Sequence, residues 1–159
     1  MRTHVKGVLT RNPDWETDLV GYQVESAWSV GDWDEVQRSV ASTTSSVAPV
    51  LLAKILLAMQ TGNDAAVSES LSQARQILGA PISAAGVRGY RRSYDAVVNL
   101  HMVHELDLIH QFATGSRGVQ GAQPLDALLR QLSTRLNSTL PAFRIREPIL
   151  SMRRTAFGL

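Results

Sequence analysis

The side chains best suited to chemistry lie in the second half of this sequence. His101 and His104 are three residues apart, and Asp107 follows three later, so a helix would place them on one face. Imidazole and carboxylate groups are common metal ligands. A zinc site needs more ligands at suitable spacing, and the sequence has no cysteine and no His-Glu-x-x-His motif. We therefore expect no metal site, and we interpret His101 as a packed, hydrogen-bonded residue.

Arginines next to aromatic rings form a second candidate pattern. The residues concerned are Arg88, Tyr90, Arg91, Arg92 and Tyr94. This composition suits phosphate binding and base stacking. The two tyrosines are four residues apart and continue into the apolar row of their helix, which favours packing in a core. We expect structural roles here and no direct binding of nucleic acid.

Arg153 and Arg154, near the end of the sequence, admit several roles. Positive charge suits the C-terminus of a helix, and it also suits contact with an acidic neighbouring domain. A nucleic-acid surface that joined them to the three earlier arginines would bind with a steep dependence on salt. The sequence leaves these roles open.

The motifs of several enzyme classes are missing from the sequence. There is no Gly-x-Ser-x-Gly nucleophile motif. Gly115, Gly118 and Gly121 follow no apolar strand and precede no Gly-Lys-Ser/Thr, so they do not make a phosphate loop. The glycine loop, catalytic aspartate and Asp-Phe-Gly motif of a protein kinase are also missing. We expect no catalytic residue and no cofactor in this segment.

Composition indicates one ordinary folded domain. The 159 residues are 44% hydrophobic and 19% charged, which is close to a typical globular mixture. Neither a secretion signal nor an apolar run long enough to cross a membrane is recognisable, so we expect a soluble intracellular chain. Residues 1–79 carry a net charge of −3 and residues 80–159 carry +5. This asymmetry is compatible with an acidic partner, although a solvated helix surface explains it more simply.

Apolar residues recur every three or four positions, which predicts an all-α fold. Gly31 and Gly62 mark two turns that are 31 residues apart, near the 34-residue period of tetratricopeptide (TPR) helix pairs. We predict one helical-repeat segment over 1–159, with antiparallel hairpins stacked as a TPR/HEAT-like α-solenoid. The predicted elements are hairpins at 13–41, 47–79 and 83–140 and a final helix at 147–157.

Several boundaries and contacts follow from the same pattern. Gly79 and Pro81 are predicted to end the fourth helix, and Pro148 to open the last one. The first helix carries two rows, and we expect both to touch neighbours. The first row is Leu19, Tyr22, Ser26 and Val30, and the second is Val24, Ala27 and Trp28.

The tryptophans carry an alternative interpretation. We expect Trp15, Trp28 and Trp33 to be wedges between helices. A groove lined by Trp28 and Trp33 would instead suit a free-standing TPR-like adaptor that binds a peptide.

Two longer segments carry a resemblance to a known family. They are RGYRRSYDAVVNLHM at 88–102 and REPILSMRR at 146–154, preceded in order by VKGVL at 5–9, DW at 14–15, YQVESAW at 22–28 and WD at 33–34. In this order they resemble the FAT region of ATR-type checkpoint kinases, a branch of the phosphatidylinositol-3-kinase-related family. The resemblance covers essentially the whole sequence.

The resemblance implies a non-catalytic scaffold inside a larger protein. The parent would be a nuclear serine/threonine kinase that responds to DNA damage and replication stress and phosphorylates Ser or Thr followed by Gln. Its FAT region would be an α-solenoid that clasps the kinase domain. The implied partners are the kinase domain and neighbouring repeats of the parent, a second copy in a homodimer, and the ATR-interacting protein, with no membrane. We expect Met1 and Leu159 to bound a fragment whose uncapped faces bind other parts of the parent.

Overall fold

The computed structural model describes residues 16–84, 90–115 and 125–159, with side chains described over 19–82, 93–115 and 125–159. All regular secondary structure in these ranges is helical, which confirms the predicted all-α class. The helices are α1 (Glu16–Val30), α2 (Trp33–Ser42), α3 (Ala48–Gln60), α4 (Asp64–Ala84), α5 (Tyr90–Gly115), α6 (Leu125–Asn137) and α7 (Phe143–Phe157).

Two turns are built alike, at Gly31 and at Gly62. Both glycines have positive φ, of 77° and 65°, a conformation that costs glycine little. The glycine N–H donates three residues back, and the next N–H, of Asp32 or Asn63, donates five residues back, which is the Schellman pattern. The side chains of Asp32 and Asn63 then accept the N–H groups of Glu35 and Ala66, each at 3.1 Å, and so cap the next helix.

The hairpins stack along the chain, as predicted. Helix α3 contacts α1, α2, α4 and α5, while α5 also contacts α4, α6 and α7. Helix α7 returns to contact α1 as well as α5. The interior along α3 is entirely apolar, and its most buried members are Val50, Leu51, Leu52, Ala53, Ile55 and Leu56. The helices therefore share one continuous core.

The prediction that both rows of α1 touch neighbours is wrong for most of its first row. Val24, Ala27 and Trp28 are buried, whereas Tyr22 and Val30 are largely exposed. Helices α2, α3 and α7 all pack against α1, while of the first row Tyr22, Ser26 and Val30 are exposed and Leu19 is partly buried.

Both predicted proline boundaries are wrong. Helix α4 continues through Gly79 and Pro81 to Ala84, and α7 begins at Phe143, five residues before Pro148. A proline costs a helix one backbone hydrogen bond and a steric clash with the preceding turn. In α7 the buried residues on both sides of Pro148, Ile145 and Ile149, supply packing that offsets this cost. None of the described helices is long and apolar enough to span a membrane.

Candidate functional site

The most unusual side chain in the described core is a carboxylate. Glu105 of α5 is fully buried, and Arg153 of α7 binds it in a bidentate manner. Arg153 Nε donates to Glu105 Oε2 and Nη2 donates to Oε1, both at 2.6 Å. Parallel, charge-assisted bonds of this kind are the strongest that arginine forms with a carboxylate.

Helix α6 completes the cluster. Arg153 Nη2 also donates to the backbone oxygen of Leu132 at 2.7 Å. Arg135 of α6 lies at the edge, with its Nε 3.9 Å from Glu105 Oε1, which is beyond hydrogen-bond distance. One carboxylate therefore joins α5 to both following helices. We call Glu105, Arg153, Arg135 and His101 the charge cluster.

His101 lies between the carboxylate and Arg135. Arg135 Nη2 is 3.3 Å from His101 Nδ1, and because guanidinium can only donate, Nδ1 accepts this bond. The ring hydrogen of the neutral imidazole is then on Nε2, which lies 2.7 Å from Glu105 Oε1. This second contact is electrostatic, because Nε2 is not aligned for a hydrogen bond.

The charges of the cluster decide the protonation of Glu105. Burial by itself raises the pKa of this carboxyl, but the two hydrogen bonds and the charge of Arg153, together with the close contact of His101, outweigh burial and leave the pKa below its ordinary value. Burial, followed by the positive charge of Arg135, lowers the pKa of His104. Glu105 is therefore an anion at neutral pH, and His104 is uncharged.

The turn between α6 and α7 is held by side chains from both neighbours. Tyr94 Oη of α5 accepts the backbone N–H of Leu140 at 3.0 Å. Arg146 Nη2 of α7 donates to the backbone oxygen of Thr139, also at 3.0 Å. These bonds fix the direction in which α7 leaves the turn, and with it the position of Arg153 two helical turns later.

Glu105 and Arg135 were not among the residues predicted from the sequence. The signal for Glu105 was present, because the residue falls on the helical row of Val98, Met102 and Ile109, all of which are buried. A carboxylate on an apolar row must have a cationic partner. The identity of the arginine that pairs with Glu105 depends on how α5 and α7 pack. Residue spacing within one helix does not predict that packing.

The metal candidates are engaged elsewhere. His101 contacts Glu105 and Arg135, while Asp107 accepts Arg75 Nη2 of α4 and Gln111 Nε2 at 2.8 Å. Within the described residues, no group of three His, Cys, Asp or Glu side chains is placed to hold a metal ion. Gly118 and Gly121 lie outside the described residues.

The arginine candidates are separated by the structure. The role of Arg153, which the sequence left open, lies within the fold, because its largely buried guanidinium binds Glu105 and the backbone oxygen of Leu132. Arg154 is exposed. Arg88 lies outside the described residues, as do the side chains of Tyr90, Arg91 and Arg92. Tyr94 is partly buried against the core, where packing was expected.

Trp28 and Trp33, the tryptophans within the described residues, do not line the same pocket. Trp28 is buried and Trp33 is partly buried against the core, while Trp15 lies outside the described residues. A pocket of about 190 Å³ lies beside Trp28 and is lined by residues of α1, α3, α5 and α7, but Trp33 is not among them. The interpretation of Trp28 as a residue packed between helices therefore fits the structure. The alternative of a peptide groove lined by both tryptophans does not, because Trp33 is not part of this pocket.

The carboxylate at the centre of the charge cluster is not accessible to solvent. Every polar atom of that carboxylate is taken by arginine or histidine. Such an arrangement fixes the positions of helices, whereas acid–base catalysis needs a group that can reach the reacting molecule. The described residues therefore form an all-α helical-repeat fold in which one buried ion pair joins α5 to α7.

The chain belongs to the FAT domain family, whose family model matches residues 21–159. Among curated proteins, the serine/threonine-protein kinase ATR of Arabidopsis thaliana is 30% identical over 99% of this chain. The serine/threonine-protein kinases ATR of Oryza sativa, subspecies indica and japonica, are each 29% identical over 100% of it. The chain spans only 6% of the length of these relatives. No solved structure matches it. The resemblance on which the family prediction rested is thereby confirmed.

Proposed function

We propose that this chain is a non-catalytic scaffold segment of an ATR-like checkpoint serine/threonine kinase that acts in the nucleus on DNA damage and replication stress. The observation that carries the proposal is the continuous match of the whole chain to kinases named ATR, combined with a family match to a FAT domain. The segment braces the kinase domain, and the chemistry belongs to other parts of the longer protein.

The charge cluster supplies the physical basis for a brace. A helical repeat transmits position only if its helices keep a fixed register. Apolar contacts alone tolerate small sliding, whereas a bidentate pair between Glu105 and Arg153 is satisfied in one register only. The position of α7 relative to α5 is therefore well defined, and a domain docked on either helix is held in one place.

The two longest segments that carried the family resemblance, 88–102 and 146–154, lie close together in the fold. Tyr94 and His101 come from the segment at 88–102, and Arg146 and Arg153 come from the segment at 146–154. In the fold these residues hold the α6–α7 turn and flank Glu105. The resemblance therefore falls on residues that fix helix geometry, as expected for a scaffold.

The proposal includes partners of the longer protein. These are its kinase domain and neighbouring repeats, a second copy, and the ATR-interacting protein. The named relatives support a kinase parent, and the largely exposed row of Tyr22 and Val30 on α1 offers apolar area for a neighbouring repeat.

The proposal is tested by breaking the Glu105–Arg153 pair in the longer protein and measuring its kinase activity. Glu105→Gln leaves Arg153 without its anion, and Asp107→Asn removes a less buried carboxylate from the same helix as a matched control. We expect Glu105→Gln to reduce phosphorylation of a Ser-Gln peptide per folded molecule at least about tenfold, and Asp107→Asn to leave it unchanged. If the Glu105–Arg153 pair is shown to be broken and both variants are still as active as the unaltered protein, the proposed bracing of the kinase domain is refuted.

A further inference from the structure

The outer face of α7 carries an exposed row with an unusual order. Its members, at alternating spacings of four and three residues, are Phe143, Glu147, Leu150, Arg154 and Phe157. This spacing keeps all five on one side of a helix. The apolar members are 82%, 48% and 45% exposed in chain order, although the opposite side of the helix is buried. We call these five residues the α7 row.

The residue types of the α7 row are arranged symmetrically about its central residue, except that the charges on the two sides have opposite sign. Leu150 is at its centre, an aromatic ring lies seven residues away on either side, and the intervening positions carry one negative and one positive charge. At a rise of about 1.5 Å per residue, each ring is about 10.5 Å from the centre. Glu147 and Arg154 are about 4.5 Å and 6 Å from the centre on opposite sides.

Such a row is complementary to its own copy. If a second α7 lies antiparallel across it, with a twofold axis at Leu150, each Phe143 meets the other copy's Phe157 and each Glu147 meets the other copy's Arg154. The two leucines meet on the axis. Twofold interfaces require a surface that is self-complementary in this sense. A parallel pairing would instead place like charges opposite each other.

Neither Glu147 nor Arg154 forms an ion pair with another of the described residues. Glu147 lies close enough to Glu25 of α1 for the two carboxylates to repel each other: burial, followed by the charge of Glu147, raises the pKa of Glu25. An arginine arriving from outside would offset this repulsion. Arg154 of the same helix lies seven residues further along and points its charge into solvent.

We propose that the α7 row is a self-docking surface, through which two copies of this chain pair antiparallel about Leu150. The inference deepens the assembly role in the proposed function and rests on it only for the use of the pair in the longer protein. A contact made by one helix per copy belongs to the small, weak class of interfaces, so the isolated chain should associate at micromolar concentrations.

The test uses charge exchange and sedimentation equilibrium of the 159-residue chain over about 5–300 μM, a range chosen for weak interfaces. We expect Glu147→Arg and Arg154→Glu each to weaken association at least about tenfold, because like charges then face each other at both ends. The double variant Glu147→Arg/Arg154→Glu restores every opposite-charge contact and should return to the behaviour of the unaltered chain. An equimolar mixture of the two single variants should also associate, as a mixed pair.

Controls separate this proposal from other causes. Arg144→Glu changes an exposed charge of α7 that lies off the row and should leave association unchanged. Circular dichroism of every variant verifies folding. A strictly monomeric chain at the highest concentration, or a double variant that fails to regain association, overturns self-docking. If the α7 row is shielded from solvent in the longer protein but not in the isolated chain, self-docking is also overturned. The row then contacts another segment of the longer protein. None of these results affects the brace, which is tested by kinase activity.

Discussion

Helices α1–α4 bury an apolar interior, and two of their three connections are glycine turns. Helices α5–α7, in contrast, close around a buried carboxylate and its arginine. In the first part, side chains such as Ile55 and Leu56 have no polar requirement and are replaceable by groups of similar size. In the second, Glu105 is tolerated only while Arg153 is in place. The difference is one of specificity, because the apolar half favours compactness and the charged half selects one register.

Breaking the charge cluster should have the largest effect on stability. Glu105→Gln strands the buried Arg153 cation, and removal of one partner of a buried pair costs about 3–5 kcal/mol. Urea denaturation of the 159-residue chain measures this loss. As the matched control, Asp107→Asn breaks the more exposed contact with Arg75 and should cost less than about 1 kcal/mol. Similar losses for both variants would mean that burial does not distinguish them.

A cavity in the apolar half should cost somewhat less. Leu56 of α3 is completely buried, and Leu→Ala substitutions in cores cost about 2–5 kcal/mol. We expect Leu56→Ala to lose about 3 kcal/mol in the same urea experiment. Leu56→Met, which conserves volume, should lose less than about 1.5 kcal/mol. If the two variants are equally destabilised, the interior around α3 is not closely packed.

The glycine turns should respond more weakly. No atom lies within 4 Å of a Cβ added at Gly31, so Gly31→Ala is penalised only by the positive φ, at about 1–2 kcal/mol. Gly79 provides the matched control, because it is helical and its added Cβ also meets nothing. Gly79→Ala should stabilise the chain by about 0.5–1 kcal/mol. Thermal unfolding of the two variants should therefore shift in opposite directions.

Acidification should act on the charged half through Glu105. Because the folded-state pKa of Glu105 lies below its ordinary value, its contribution to stability is complete above an unfolded-state pKa of about 4.3. The contribution is lost as pH falls through the lower folded-state pKa, at up to about 1.4 kcal/mol per pH unit. The difference in unfolding free energy between the unaltered chain and Glu105→Gln should shrink below about pH 4. A constant difference from pH 7 to pH 3 would contradict the assigned direction.

The two halves also differ in what the sequence predicts. Glycine followed by Asp32 or Asn63 specifies its turn locally, through backbone φ and a capping side chain, and the helical period is visible in the apolar rows. The charge cluster is a contact across 48 residues between Glu105 and Arg153. Local spacing shows that a carboxylate lies on a buried row but not which arginine reaches it. The prediction that Pro148 begins the last helix was wrong for a related reason, because tertiary packing around α7 offsets the local cost of a proline inside the helix.

A double-mutant cycle on the charge cluster is the most direct test of the account. The free energy of unfolding is measured for the unaltered chain, Glu105→Leu, Arg153→Met and the double variant. We predict a coupling of at least about 2 kcal/mol, with the double variant less destabilised than Glu105→Leu alone, because no unpaired charge is then buried. Additive losses from the two single changes would show that Glu105 and Arg153 do not act as one unit, and would contradict the claim that this pair sets the register of α5 and α7.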